Sequence, residues 1–140
     1  MAALFADSGY WIALLDRRDE LHALARAASA RLNEVEIVTT QMALVETLAS
    51  QAGSGELARL AAIRLVEQLV ASPLVEIVPQ TDEQFQAALE RYAARKDQRW
   101  SLTDCASFIL MEERGLSEAL AYDRDFEQAG FTALLRHESL

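Results

Sequence analysis

The chain has a single cysteine, two histidines, two prolines and one lysine, and each scarcity removes a class of protein. Cys105 alone cannot form an internal disulfide, so a disulfide-stapled secreted scaffold is excluded and a reducing, cytoplasmic setting is expected. His22 and His137 have no second histidine or cysteine at ligand spacing, which removes a zinc site. Bases are outnumbered 22 to 13 by acids, and a net charge of −9 disfavours a module that holds nucleic acid or an anionic membrane by bulk attraction. No apolar run approaches the ~18 residues of a membrane span. The apolar start Ala2–Ala6 is interrupted by Asp7 and has no basic flank, so no signal peptide is expected and the protein should remain soluble, away from membranes.

What is present is enough for one core. With 140 residues and 51% hydrophobic side chains, a single domain over 1–140 is expected, burying roughly 70% of the surface its unfolded chain exposes. Short apolar runs alternate with helical patterns. Ala3–Ala6, Glu36–Thr39, Leu74–Val78, Ala119–Tyr122 and Phe131–Leu135 read as strands. Between them, helices are predicted over Tyr10–Leu15, Leu21–Leu32, Gln41–Ser50, Glu56–Ala71 and from a Thr81/Gln84 capping box to about Arg95, with a helical turn at Phe126–Ala129. Met42, Val45 and Leu48 or Ala49 mark the expected inner face of the third helix, and Gly53-Ser54-Gly55 breaks a helical hairpin there. Strands and helices in this order predict an α/β fold with a mainly parallel sheet of about five strands, covered on both faces.

The segment Ser101–Met111, SLTDCASFILM, places one carboxylate at the mouth of an apolar helix. Ser101 is a good N-cap, and Asp104 three residues later either completes a capping box or serves a site. Where the other acids fall decides its interest. Asp7 and Asp123 close the first and fourth strands, at the sheet edge where open α/β sheets bind ligands, and Glu46 lies one turn into the helix after the second strand. Carboxylates sharing a partly buried pocket raise one another's pKa unless a cation offsets them, and an oxygen-only donor set favours Mg²⁺ or Mn²⁺ over zinc.

Four stretches in order, FADSGYWIALL around Asp7, VTTQMALVETLA around Glu46, WSLTDCASFILM around Asp104 and EALAYDRDFEQAGF around Asp123, give the chain a resemblance to PIN-domain proteins of the VapC toxin type. The resemblance spans Phe5 to Phe131. It implies a three-layer α/β/α sandwich, an Mg²⁺- or Mn²⁺-dependent endoribonuclease, a homodimer, and a small cognate antitoxin in a type II toxin–antitoxin pair. Asp7, Glu46, Asp104 and Asp123 match the family's acidic positions, with Asp7 and Asp104 as the principal metal ligands. Glu46 and Asp123 would complete the pocket, and Ser8 and Ser101 would hold the ligand carboxylates or bound waters from behind.

Around Asp123 the chain departs from the pattern of the proteins it resembles, with Tyr122 where threonine or serine is usual and Asp125 where histidine is usual. The extra acid is expected to face solvent rather than to bind a second cation. Arg17, Arg18, Arg95, Lys96, Arg99 and Arg124 lie in loops flanking the acidic edge and are candidate contacts to RNA phosphates, and Trp100 is a candidate platform for a base. Competing readings fit less well. A phosphatase with an Asp-x-Asp nucleophile meets Gly9 at its second position, and a receiver domain wants a late lysine where Lys96 is the only one. A catalytically silent PIN-fold binding protein would not need to keep all four acids.

Overall fold

Leu4–Ala6 (β1) is too short to be stable alone, and the chain makes it the centre of the sheet, with a parallel partner on either side. The structure, a computed structural model, describes residues 3–136. Ile37–Thr40 (β2) pairs with one edge of β1, and Glu118–Leu120 (β4) pairs with the other. Val75–Val78 (β3) lies outside β2 and Thr132–Ala133 (β5) outside β4, giving the order β3-β2-β1-β4-β5 with every pairing parallel. The connections from β1 run toward β3, and that from β4 runs the opposite way. The reversal opens a crevice between the carboxyl ends of β1 and β4.

Period-two alternation divides the sheet's side chains between two cores. Phe5, Val38, Ala119 and Ala121 face Asp82–Ala94 (α5) and Leu102–Arg114 (α6), where Phe108 and Phe126 are fully buried. Leu4, Ala6 and Leu120 face the other way, onto Ser8–Leu15 (α1), His22–Ala30 (α2), Gln41–Gln51 (α3) and Glu56–Ala71 (α4). The expected three-layer α/β/α sandwich is therefore found. Arg124–Gln128 (α7) is the short helix before β5. No helix among the described residues is long and apolar enough to cross a membrane.

Several local expectations need correction. α1 begins at Ser8, not Tyr10, because Asp7 is already the N-cap residue and its carbonyl accepts from the Tyr10 and Trp11 amides. β4 ends at Leu120 and β5 at Ala133, after which Leu134–Arg136 tightens into a 3-10 turn. On α3 the buried positions are Met42, Ala43, Leu44, Thr47 and Gln51, while Val45 is 60% exposed. α3 packs against α1, α4 and β2, with Ala43 and Thr47 fully buried. The Thr81 cap is only half a box: its hydroxyl accepts from the Gln84 amide, but Gln84 Oε1 is buried with no partner among the described residues. His22 is satisfied, its Nδ1 lying 2.7 Å from the Ala13 carbonyl. His137 lies outside the described residues.

Candidate active site

Thr39 fixes the end of β1. Its fully buried hydroxyl donates to the Ala6 carbonyl at 2.8 Å and accepts from Trp11 Nε1 at 3.2 Å, tying β1, β2 and α1 together immediately before Asp7. The Asp7 amide then donates to the Leu120 carbonyl, so the residue is held across the β1–β4 crevice. Asp7 is 8% exposed.

Around it is one open cleft of about 670 Å³, lined by Asp7, Glu46, Asp104 and Asp123 together. Each acid arrives on a different element. Ser8 Oγ donates to Glu46 Oε1 at 2.7 Å, a bond between residues 38 apart that fixes α3 against the start of α1. Ser101 and Asp104 form a complete capping box: the Ser101 hydroxyl accepts from the Asp104 amide, and Asp104 Oδ2 accepts from the Ser101 amide, each at 3.0 Å. Asp104 therefore caps its helix and lines the cleft. Asp123 N-caps α7, accepting from the Asp125 amide at 3.2 Å.

Burial and charge repulsion together raise the carboxyls of the pocket. Burial, then the Asp104 charge, and more weakly those of Glu46 and Asp123, push the Asp7 carboxyl up to about 7, against the opposing Ser8 backbone hydrogen bond. Asp104 is pushed up to about 6, by burial first and then by Asp125 and Asp123, while its bonds to Ser101 pull it down. Among the described residues no three acids, histidines or cysteines are gathered closely enough to enclose an ion. The donor set nonetheless suits a hard divalent cation: several carboxylates, three with raised pKa, line a cleft in which the described residues include no histidine or cysteine.

The other sequence candidates divide. Arg99 and Arg124 line the cleft. Arg17 does not, because it follows the carboxyl end of α1, whose other end is at the site; it is exposed there beside Arg18, which pairs with Asp16. Arg95 and Lys96 line a neighbouring pocket. Trp100 is no open platform: it is buried, packed edge-on against Phe108 at 5.0 Å and covered by the Arg95 guanidinium at 4.8 Å. Asp125 is partly buried in the wall of the open cleft, where burial and the neighbouring Asp123 raise its pKa.

The sequence reading missed Arg136. It enters the cleft from the turn after β5, with its guanidinium over the Tyr122 ring at 4.7 Å, Nη1 donating to the Tyr122 carbonyl, and Nε 3.2 Å from Glu127 Oε1. The strand-end rule that singled out Asp7 and Asp123 would have found it if applied to the fifth strand.

The PIN domain family model matches residues 4–132. The chain belongs to the PIN-domain family. The 23S rRNA-specific endonuclease VapC20 of Mycobacterium tuberculosis, from strain CDC 1551 / Oshkosh and from strain ATCC 25618 / H37Rv, is 30% identical over 131 residues, 91% of this chain and 95% of the relative. The crystal structure of Mycobacterium tuberculosis VapC20, described as a Sarcin-Ricin loop cleaving toxin, superposes with a TM-score of 0.82 at 27% identity, covering 94% of this chain and 98% of that one. The VapC-type resemblance read from the four sequence motifs is thereby borne out, and the reading of an endoribonuclease toxin agrees with what these relatives are called.

Proposed function

We propose that this PIN-domain nuclease hydrolyses RNA at the four-acid cleft with Mg²⁺ or Mn²⁺, as the toxin of a type II toxin–antitoxin pair. One observation carries the reading: Asp7 is buried beside Asp104, Glu46 and Asp123 with its carboxyl pushed up to about 7, an arrangement that is costly without a cation. Asp7 and Asp104 would hold the ion, with Glu46 and Asp123 completing the set. When bound, a divalent cation supplies a lowered pKa for water and offsets charge building on the phosphate.

The chain's own residues do the rest. Ser8 keeps Glu46 aimed from α3, and the Ser101 amide occupies one oxygen of Asp104 and leaves the other for the cleft. Glu46 or Asp123 can orient the attacking water and accept its proton. Arg99, Arg124 and Arg136 set positive charge on the walls, where the RNA backbone must approach an otherwise acidic edge. Among the described residues no histidine or lysine lines the cleft, and the reaction we propose uses water as the nucleophile and leaves a 5′-phosphate and a 3′-hydroxyl. The relatives' 23S rRNA makes a structured rRNA loop the first substrate to try.

A homodimer and a small cognate antitoxin are proposed partners, with the cytoplasm as the setting and the whole chain as one nuclease domain. Val45, Leu48, Leu57, Leu60 and Ile63 on α3 and α4 are exposed apolar side chains that one sheet does not need, and a protein partner would cover them. The test is end-group analysis after incubating rRNA fragments with the protein in Mg²⁺, Mn²⁺ or EDTA. Metal-dependent cleavage leaving 5′-phosphates is expected. Cleavage that survives EDTA, or ends in a 2′,3′-cyclic phosphate, would overturn the assignment.

A further inference from the structure

Tyr122 directly precedes Asp123, and it is the one aromatic residue among the described residues that line the four-acid cleft. Both tryptophans are buried, and the other exposed rings, Phe85 and Tyr92, belong to α5 and do not line the cleft. Tyr122 is 42% exposed and is part of neither core, so burial does not account for a large ring at this position.

The ring is nonetheless held in place. The Arg136 guanidinium lies over it at 4.7 Å, Arg136 Nη1 donates to the Tyr122 carbonyl at 3.0 Å, and Nε lies 3.2 Å from Glu127 Oε1. The turn that carries Arg136 is fastened in turn, because the Leu135 amide donates to the Ala121 carbonyl at 3.0 Å, one residue before Tyr122. One face of the ring is thus backed by a tethered cation. No second ring or cation lies against the other face among the described residues. A ring with one face backed and one free is prepared for stacking, since little side-chain freedom remains to be lost when a flat group settles on it.

The surroundings select that flat group. Arg99, Arg124 and Arg136 line the same cleft and attract phosphate, while the carboxylates beside Tyr122 are those suited to a divalent cation. A ligand that carries phosphate and a flat ring together is a nucleotide.

We propose that Tyr122 is the platform on which an unpaired base beside the scissile phosphate stacks. The proposal rests on the nuclease reading for its place along the RNA, and on the ring and its backing for its chemistry. A base within a duplex has both faces covered by its neighbours, so the platform admits loops and single strands and rejects helices. Every base has a flat face, and the platform therefore adds affinity more than it reads sequence.

The experiment measures the binding of fluorescein-labelled hexaadenylate and of an abasic hexamer, which has the same charge and no bases, by anisotropy in Ca²⁺, with the oligomers checked for integrity on a gel afterwards. Wild-type protein should prefer hexaadenylate at least tenfold. Tyr122→Phe keeps the ring and should keep that preference, and Tyr122→Ala should reduce it to about twofold. The side chain is exposed and outside both cores, so both variants should fold, which circular dichroism checks. No preference in the wild type, a preference retained in Tyr122→Ala, or one lost in Tyr122→Phe would overturn the platform. Digestion of rRNA fragments by the wild type in Mn²⁺ separates the two readings. Cleavage without a base preference leaves hydrolysis standing and removes the platform, and a preference that depends on Tyr122 without cleavage keeps the platform and removes hydrolysis.

Discussion

Replacing Asp7 by Asn should make the metal-free protein more stable, not less, and by an amount that grows with pH. A carboxyl whose folded pKa is raised favours the fold while protonated, and that contribution is lost as pH climbs from the ordinary 3.8 through the folded value of about 7. At about 1.4 kcal/mol per pH unit between the two, the raised Asp7 pKa costs about 4 kcal/mol at pH 8, where the carboxyl is ionised in the fold, and about 2 kcal/mol at pH 5, where it is still protonated there. Asn keeps the shape and an oxygen for the Ser8 amide but cannot ionise. With roughly 4 °C per kcal/mol for a chain of this size, Asp7→Asn should raise Tm in EDTA by about 10–15 °C at pH 8, and by roughly half that at pH 5.

Adding metal should reverse the order. A cation bound to the folded state adds stability with concentration, so Mn²⁺ should raise the wild-type Tm at pH 8 and leave Asp7→Asn nearly unmoved. Thermal unfolding followed by circular dichroism, in EDTA and in Mn²⁺ from pH 5 to pH 8, reads all of this in one set of curves. A variant less stable than wild type in EDTA, by a margin that does not change with pH, would show that Asp7 carries no such strain.

Other substitutions test the supports. Ser8→Ala frees Glu46 and should weaken Mn²⁺ binding, read by calorimetry, about 10–100-fold with little change in fold. Ser101→Ala removes the α6 cap and should cost about 1 kcal/mol in urea unfolding. Asp125→Asn removes a charge that raises the Asp104 carboxyl, so Asp104 should ionise at lower pH and the acid limb of the rate profile should move below its wild-type midpoint. Arg114→Ala breaks an ion pair to Glu76 that is well formed at 2.7 and 2.8 Å but open to water, and should change stability by at most about 1 kcal/mol.

The parts of this molecule legible in its sequence are those governed by local chemistry. Strand and helix order followed from hydrophobic period and caps, and α4 spans Glu56–Ala71, the range the pattern predicts. The Ser101–Asp104 box was legible because both partners lie within one turn. The misjudged parts depend on contacts between distant segments. Whether Val45 or Ala43 faces inward is decided by how α3 packs on its neighbouring elements, and an apolar stripe read without them cannot show it. The Ser8–Glu46 bond joins segments 38 residues apart, so Ser8 could be suspected as a support but not matched to its carboxylate. Trp100 was read as a base platform because its neighbours in sequence are polar. Its neighbours in space are Phe108 and the Arg95 guanidinium.

Asp104 shows why the plain and the functional readings of one residue need not compete. A carboxylate at the third position of a helix is stabilised by the helix N-terminus and by the Ser101 bonds, and on those terms alone its pKa should fall. It rises instead to about 6, because burial in the cleft and the charges of Asp125 and Asp123 outweigh the cap. The cap therefore serves less to stabilise the charge than to fix one carboxylate oxygen and aim the other. A carboxylate that repulsion would otherwise push toward solvent is kept in the cleft by its own helix. Asp7 has no side-chain bond to a cap partner and relies on Thr39 and Trp11 to hold the backbone beneath it. Thr39→Val should consequently disturb Asp7 through the backbone: it removes the bonds to Ala6 and Trp11 together, and should lower both metal affinity and stability where Ser8→Ala lowers only the first.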